Sequence, residues 1–154
     1  MARSAVGKFL RLPSDERAVL VRALLTLAAA RVAISVLPFK SVRRLLTPRP
    51  GGTVDQRITP GRVHWAIAQA QRVIPDATCL PQAVTAEALL ARGGRQAILR
   101  IGVTKTSAGR ILAHAWVESD QRIIVGDLPG GLADYTSLPP LPGIWLDSGA
   151  AGTP

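Results

Sequence analysis

The stretch AILRIGVTKTSAGRILAHAWVESDQRIIVGD, residues 97–127, decides the fold class of this chain. It holds three short runs rich in β-branched and aromatic residues, at about 96–103, 110–118 and 122–127, which predict three strands. Turn-forming residues separate these runs at 105–109 and at Asp120-Gln121. The segments before residue 96 have the apolar periodicity of helices, so the sequence predicts an α+β fold with a small antiparallel sheet.

Four helices are predicted before the sheet, at about 14–36, 39–46, 59–74 and 77–94. Ser14, Thr59 and Thr78 are the expected N-caps, because Ser and Thr side chains accept hydrogen bonds from free amides of the first turn. Cys79 then stands at the start of the fourth helix. The tail, 128–154, is rich in Pro and Gly and is expected to wrap the surface, with Tyr135 and Trp145 as anchors.

The positive charge of the chain is concentrated at its N-terminal end. The net charge is +9, and residues 1–57 hold eleven Lys or Arg against three Asp or Glu, whereas residues 58–154 hold eight against seven. This shift and the linker TPRPGGT (47–53) predict a basic N-terminal helical region, 1–57, and a second domain, 58–154. One interpretation is that the basic region is a docking surface for a partner protein. The equally supported alternative is a helix that covers the core and has a solvated basic face.

Composition excludes several classes of protein. Few clustered basic residues and few aromatic residues argue against nucleic-acid binding. Arg22 and Arg31 interrupt the apolar run 18–37, so a membrane span is not favoured. Contact of this basic helix with an anionic membrane surface stays an alternative to protein docking, but is not the favoured one. One cysteine and two histidines fit a reducing cytoplasm and provide no structural zinc site, so we expect no metal and no cofactor.

A nucleophile, a base and an acid can be placed close together from the strand pattern. A symmetric hairpin centred on Asp120-Gln121 puts His114 directly opposite Asp127, with both side chains on one face of the sheet. Cys79 lies at a helix N-terminus, where the dipole favours a thiolate. Cys79, His114 and Asp127 are therefore the candidate catalytic nucleophile, general base and orienting group.

Other residues and other functions compete with this hypothesis. The rival orienting acids are Glu118, Asp120 and Asp134, and His64 is a weaker base that is expected to be structural. Cys79 could instead be a small core residue of a non-catalytic α+β binding module. A triad could equally serve a transglutaminase-like acyltransferase, because hydrolysis and transfer differ only in the acceptor.

The motifs CLPQAVTAEALLARGG, LRIGV, AHAWVE and VGD resemble the leader peptidases of lasso-peptide biosynthesis, over roughly residues 60–127. These are cysteine proteases with a papain-like or transglutaminase-like fold, in which a catalytic helix packs on an antiparallel sheet. The resemblance implies that Cys79 attacks the peptide, His114 acts as base and acid, and Asp127 orients the histidine. It also implies removal of the leader from a ribosomally made precursor peptide, before a partner cyclase closes the ring.

Some members of this family carry a leader-recognition domain in the same chain. The helical sequence before residue 60 does not resemble that strand-rich domain, so the resemblance implies a separate recognition protein. The turn at Asp120-Gln121 departs from the Gly-containing turn expected there, which makes the spacing to Asp127 uncertain. For the oxyanion of the transition state, we expect one donor in the backbone N–H of Cys79 and a second among residues 64–78, where Gln69 and Gln71 are candidates.

Overall fold

The computed structural model describes residues 7–49 and 51–139 and has a mixed α+β fold, as predicted. The helices are α1 (Ser14–Val36), α2 (Phe39–Leu46), α3 (Pro60–Gln71) and α4 (Cys79–Arg92), and residues 7–10 are also helical. The strands are β1 (Ile98–Lys105), β2 (Ile111–Ser119), β3 (Arg122–Val125) and β4 (Thr136–Ser137). The predicted anchor Trp145 lies outside the described residues.

The helix boundaries agree with the predicted positions, but only one predicted cap forms its hydrogen bond. Thr59 Oγ1 accepts from the backbone N–H of Arg62 at 3.3 Å. Thr78 occupies the N-cap position of α4 without a side-chain cap bond. The N-cap of α1 is Pro13, so Ser14 is its first helical residue and not its cap.

Helix α4 is the centre of the molecule. Its residues 83–90 are all buried, and it contacts α1, α2, α3 and the first three strands. Buried Leu27 of α1, Val63 of α3, Leu89 of α4 and Val117 of β2 belong to one hydrophobic cluster. The core is therefore continuous across residue 57, where the sequence predicted a boundary.

The sheet is antiparallel, in the order β3-β2-β1-β4. Asp120 and Gln121 both have positive φ, 50° and 62°, as a two-residue type I′ turn requires. The predicted register holds for Ser119 opposite Arg122 and for Glu118 opposite Ile123.

A β-bulge then shifts the register by one residue. Val125 faces Val117 and not Trp116, as the symmetric hairpin predicted. The bulge inserts one extra residue on β3 between the two pairs. The predicted pairing of His114 with Asp127 is therefore wrong, because it assumed an unbroken ladder.

Arg43 belongs to the core and not to a basic surface. It is 5% exposed, and its guanidinium makes a two-bond ion pair with the carboxylate of Glu87, which is 4% exposed. This pair joins α2 to α4. The exposed basic residues of α2 are Lys40 and Arg44.

Helix α1 is apolar on both sides. By length and composition it could cross a membrane, yet Ala23, Leu27 and Ala30 on one side are buried within the domain. The other side, which includes Leu25 and Val32, is exposed.

Candidate active site

A cavity of about 480 Å³ opens where α3, the N-terminus of α4 and the end of β3 meet. Cys79, His114 and Asp127 all line it, as does His64. Its apolar wall includes Ile67, Ile123, Val125 and Leu128. The structure thus brings the three residues chosen from the sequence to one cavity, together with a fourth titratable side chain.

Cys79 is the first residue of α4 and is partly buried. The first amides of a helix have no partner within the helix, and the helix dipole places partial positive charge there. Within the described residues the thiol has no hydrogen bond, so a substrate carbonyl does not have to displace one.

His114 is held by a backbone carbonyl. Its Nε2 lies 2.7 Å from the carbonyl oxygen of Gly126. A carbonyl oxygen can only accept, so Nε2 carries the proton and donates it. In the neutral ring the lone pair is then on Nδ1, the nitrogen that remains for proton transfer.

Gly126 can place its carbonyl there because it has no side chain. Its φ is +92°, and a Cβ at this position would lie 2.6 Å from the carbonyl oxygen of Ala115 and 2.7 Å from Cβ of Trp116. Both the left-handed backbone and the close approach to β2 therefore require glycine. The motif VGD predicted an acid at this point, but it is the glycine that contacts His114.

Asp127 lines the cavity but makes no hydrogen bond with His114 within the described residues. Its carboxylate accepts a hydrogen bond from the backbone N–H of Leu128 at 3.0 Å, and the residue is exposed. The bulge in the hairpin is the reason, because the extra residue shifts Asp127 out of the expected pairing.

Comparison with known proteins agrees with this fold. A profile described as the transglutaminase-like superfamily matches residues 23–139, which is more than half of the chain. The chain belongs to the transglutaminase-like superfamily. Its members include cysteine proteases and acyltransferases. Neither the curated proteins nor the solved structures gave a significant match.

In this transglutaminase-like domain a clamp of polar and aromatic side chains supports the His114 ring. Trp116 lies next to it on the same face of β2, with ring centroids 6.4 Å apart and planes 19° apart. The indole N–H of Trp116 donates to Glu118 at 2.9 Å, and Arg100 donates to the same carboxylate at 2.8 Å. Glu118, a rival orienting acid in the sequence, is thus bound to Trp116 and not to His114.

The charge state of Glu118 strengthens this clamp. Burial acts to raise the pKa of its carboxyl, but the hydrogen bonds from Trp116 and Arg100 and the Arg100 charge together lower the pKa below its usual value. The carboxylate is therefore ionised at neutral pH, where it accepts from both donors.

Tyr135, which directly precedes β4, also packs against the His114 ring. Its ring lies 5.7 Å from the His114 ring, at a tilt of 53°. Gly102, which faces His114 across β1 and β2, makes room for this packing. A Cβ at Gly102 would lie 2.8 Å from the Trp116 ring and 3.1 Å from Cβ of Tyr135.

His64 belongs to the site, although the sequence favoured a structural role for it. Its Nδ1 donates to the carbonyl of Ile124 at 2.8 Å. Two histidines are thus held by carbonyls of one segment, 124–126. The sequence gives no sign of this role, because the side of α3 that faces the cavity depends on how α3 packs against the sheet.

Among the three glutamines near the cavity, Gln71 is the best placed to donate to substrate. Gln71 lines the cavity, whereas Gln69 does not and accepts from Arg72. Gln82 also lines the cavity, but one of its two amide N–H donors is bound to the carbonyl of Ala77 at 2.5 Å, which fixes the direction of the side chain. No cluster of three or more His, Cys, Asp or Glu that could hold a metal occurs within residues 7–49 and 51–139.

Proposed function

We propose that this protein is a cysteine peptidase that removes the leader from a ribosomally made lasso precursor peptide. The observation that carries the proposal is the meeting of Cys79 and His114 in one cavity, with the cysteine at a helix N-terminus and the histidine held in a defined tautomer. The motifs quoted above supply the substrate class.

The reaction is an acyl transfer through the thiol. The Cys79 thiol gives its proton to Nδ1 of His114, and the sulfur attacks the scissile carbonyl carbon. The backbone N–H of Cys79 and the amide of Gln71 are the donors for the resulting oxyanion. His114 then gives the proton to the leaving amine, which departs with the core peptide.

Water completes the cycle. His114 takes a proton from water, the hydroxide attacks the thioester carbon, and the C–S bond breaks. The leader leaves with a new carboxylate, and Cys79 regains its proton. The apolar wall of the cavity offers a surface for a peptide side chain.

The partners follow from the same proposal. A separate leader-recognition protein delivers the precursor, and a cyclase takes the freed amine of the core peptide. Both would meet the peptidase in the cytoplasm, where a single cysteine stays reduced.

A cleavage assay tests this function. The full chain is incubated with a lasso precursor and its recognition protein, and the products are identified by mass spectrometry. We expect two fragments, leader and core, with a free carboxylate on the leader. Added hydroxylamine should trap the thioester as a leader hydroxamate, which reports the acyl-enzyme, whereas a leader carboxylate formed without an added nucleophile identifies water as the acceptor. No cleavage with wild type would refute the proposed substrate, and cleavage by Cys79→Ala would refute the proposed nucleophile.

A further inference from the structure

The outer face of α1 is an uninterrupted apolar stripe. Val21, Leu25, Ala28, Val32 and Val36 follow one another at helical spacing and are all exposed. Leu25 is 67% exposed, Val32 63% and Val36 71%. We call these five residues the outer stripe.

Folding of this domain does not require the outer stripe. The opposite side of α1, which includes Ala23, Leu27 and Ala30, already supplies the residues that pack in the core. A helix at the surface of a soluble domain normally carries polar side chains on its outer side. The outer stripe runs about 22 Å along the helix without a polar or charged side chain, which marks it as a contact surface.

The charges around the outer stripe are predominantly positive. Arg17 and Arg31 lie on one flank of it by helical periodicity, and Lys40 and Arg44 are exposed on α2, which follows. Arg31 has a single long contact, 3.7 Å, with the exposed Asp76. Two of the three acidic side chains in residues 1–57 are paired with arginines: Asp15 faces Arg62 at 3.9 Å, and Asp55 binds Arg22 and Arg57. The third, Glu16, lies in the first turn of α1.

The positive charge around the outer stripe indicates which kind of partner would bind there. A second copy of the chain would bring the same positive charge and be repelled. An anionic bilayer offers both an apolar phase for Leu and Val side chains and phosphates for Arg and Lys, whose alkyl chains reach along the interface. Arg22, which interrupts a membrane span in the sequence, lies by helical periodicity on the opposite flank of the outer stripe and is paired with Asp55. It therefore does not oppose contact along the membrane surface.

We propose that α1 lies flat on an anionic lipid surface through its outer stripe, while its other side holds the domain. The cytoplasmic leaflet has the required negative charge, which attracts basic residues close to the surface by about fivefold in binding constant for each Lys or Arg. This contact would place the peptidase at the membrane and does not depend on the proposed cleavage reaction.

Vesicle flotation with the full-length chain tests the proposal. One vesicle preparation contains about 30 mol% phosphatidylglycerol in phosphatidylcholine and the other contains phosphatidylcholine alone. We expect the wild type to bind the anionic vesicles at least about 10-fold more strongly, and to lose most binding as salt rises from about 0.1 M to about 1 M.

Two variants locate the contact. Leu25→Glu combined with Val32→Glu should reduce binding to the anionic vesicles by roughly 10-fold or more. Ile111→Glu is the matched control, because Ile111 is 74% exposed at the start of β2 and should change nothing. Circular dichroism establishes that both variants are folded.

Three outcomes would overturn the proposal. The first is equal or absent binding to the two vesicle types, and the second is unchanged binding by the Leu25→Glu, Val32→Glu variant. The third is a concentration-dependent dimer, seen by analytical ultracentrifugation and lost in that variant, which would assign the outer stripe to a second copy.

Discussion

The imidazole of His114 is oriented by the backbone carbonyl of Gly126, at 2.7 Å from Nε2, and not by a carboxylate. A backbone acceptor fixes the tautomer as a carboxylate would, but it carries only a partial charge. In the proposed reaction it would therefore offer less electrostatic stabilisation to the imidazolium formed when His114 takes a proton.

Replacement of Gly126 by alanine should damage both the fold and the site. The φ of +92° is strained for any other residue, at about 1–3 kcal/mol, and the new methyl group would press on Ala115 and Trp116. We expect a displaced carbonyl and a loss of about 10²-fold in kcat/KM, measured at a temperature where the variant is folded.

Gly131→Ala is the matched control for Gly126→Ala. Gly131 also has a positive φ, +74°, but a Cβ there would meet nothing within 4 Å. It should lose some stability in urea unfolding and keep wild-type kcat/KM. Equal loss of activity in both variants would show that backbone strain, and not the contact with His114, is what matters.

Asp127→Asn should reduce turnover only modestly. Because the Gly126 carbonyl already holds His114, we expect a loss of about 10-fold, far below the ~10⁴ seen when a triad loses its orienting carboxylate. Asp120→Asn, in the turn, should be silent. A loss near ~10⁴ for Asp127→Asn would mean that its carboxylate replaces the carbonyl when substrate binds, as catalytic contacts tighten in the complex.

Glu118→Gln tests how much the hydrogen bonds of Glu118 to Trp116 and Arg100 stabilise the fold, through the pH dependence of urea unfolding. The folded-state pKa of Glu118 is lowered, so its ionised form stabilises the fold above the unfolded pKa of about 4.3, and this contribution is lost as pH falls through the folded pKa. In urea unfolding we therefore expect the variant to be less stable than wild type at neutral pH, with a difference that shrinks below about pH 4. A constant difference would mean that the Arg100 and Trp116 contacts do not depend on the charge.

The pair of Arg43 and Glu87 should be among the strongest single determinants of stability on the helical side. Glu87→Ala leaves a buried guanidinium without its partner, which should cost about 3–5 kcal/mol in urea unfolding. Arg44→Ala, at the exposed neighbour, should stay within about 0.5 kcal/mol of wild type. A small effect of Glu87→Ala would contradict the burial of this ion pair and place Arg43 in solution.

The sequence predicted the positions of the helices and strands better than the register and packing between them. The helix beginning at Cys79 follows from Thr78 and the stop at Gly93-Gly94, and the three main strands follow from their β-branched residues. The bulge between Val117 and Glu118 was not predictable, because it depends on backbone hydrogen bonds and not on side-chain pattern.

The burial of Arg43 and the exposure of the outer stripe were also beyond the sequence. A basic residue in the +8 region gives no sign of a buried partner 44 positions away. An apolar run such as 18–37 does not tell which of its sides the domain covers. Both facts depend on how α1 and α2 pack around α4.

The most direct test of the central claim is the rate at which iodoacetamide alkylates Cys79 at neutral pH, followed by intact mass. The chain has one cysteine, so each added mass reports that thiol. We predict that the folded wild type reacts faster than the same chain unfolded in urea, and that His114→Ala, shown by circular dichroism to be folded, slows the reaction by at least about 10-fold. A folded thiol that reacts more slowly than the unfolded chain, or at a rate independent of His114, would contradict the assignment of Cys79 as a nucleophile.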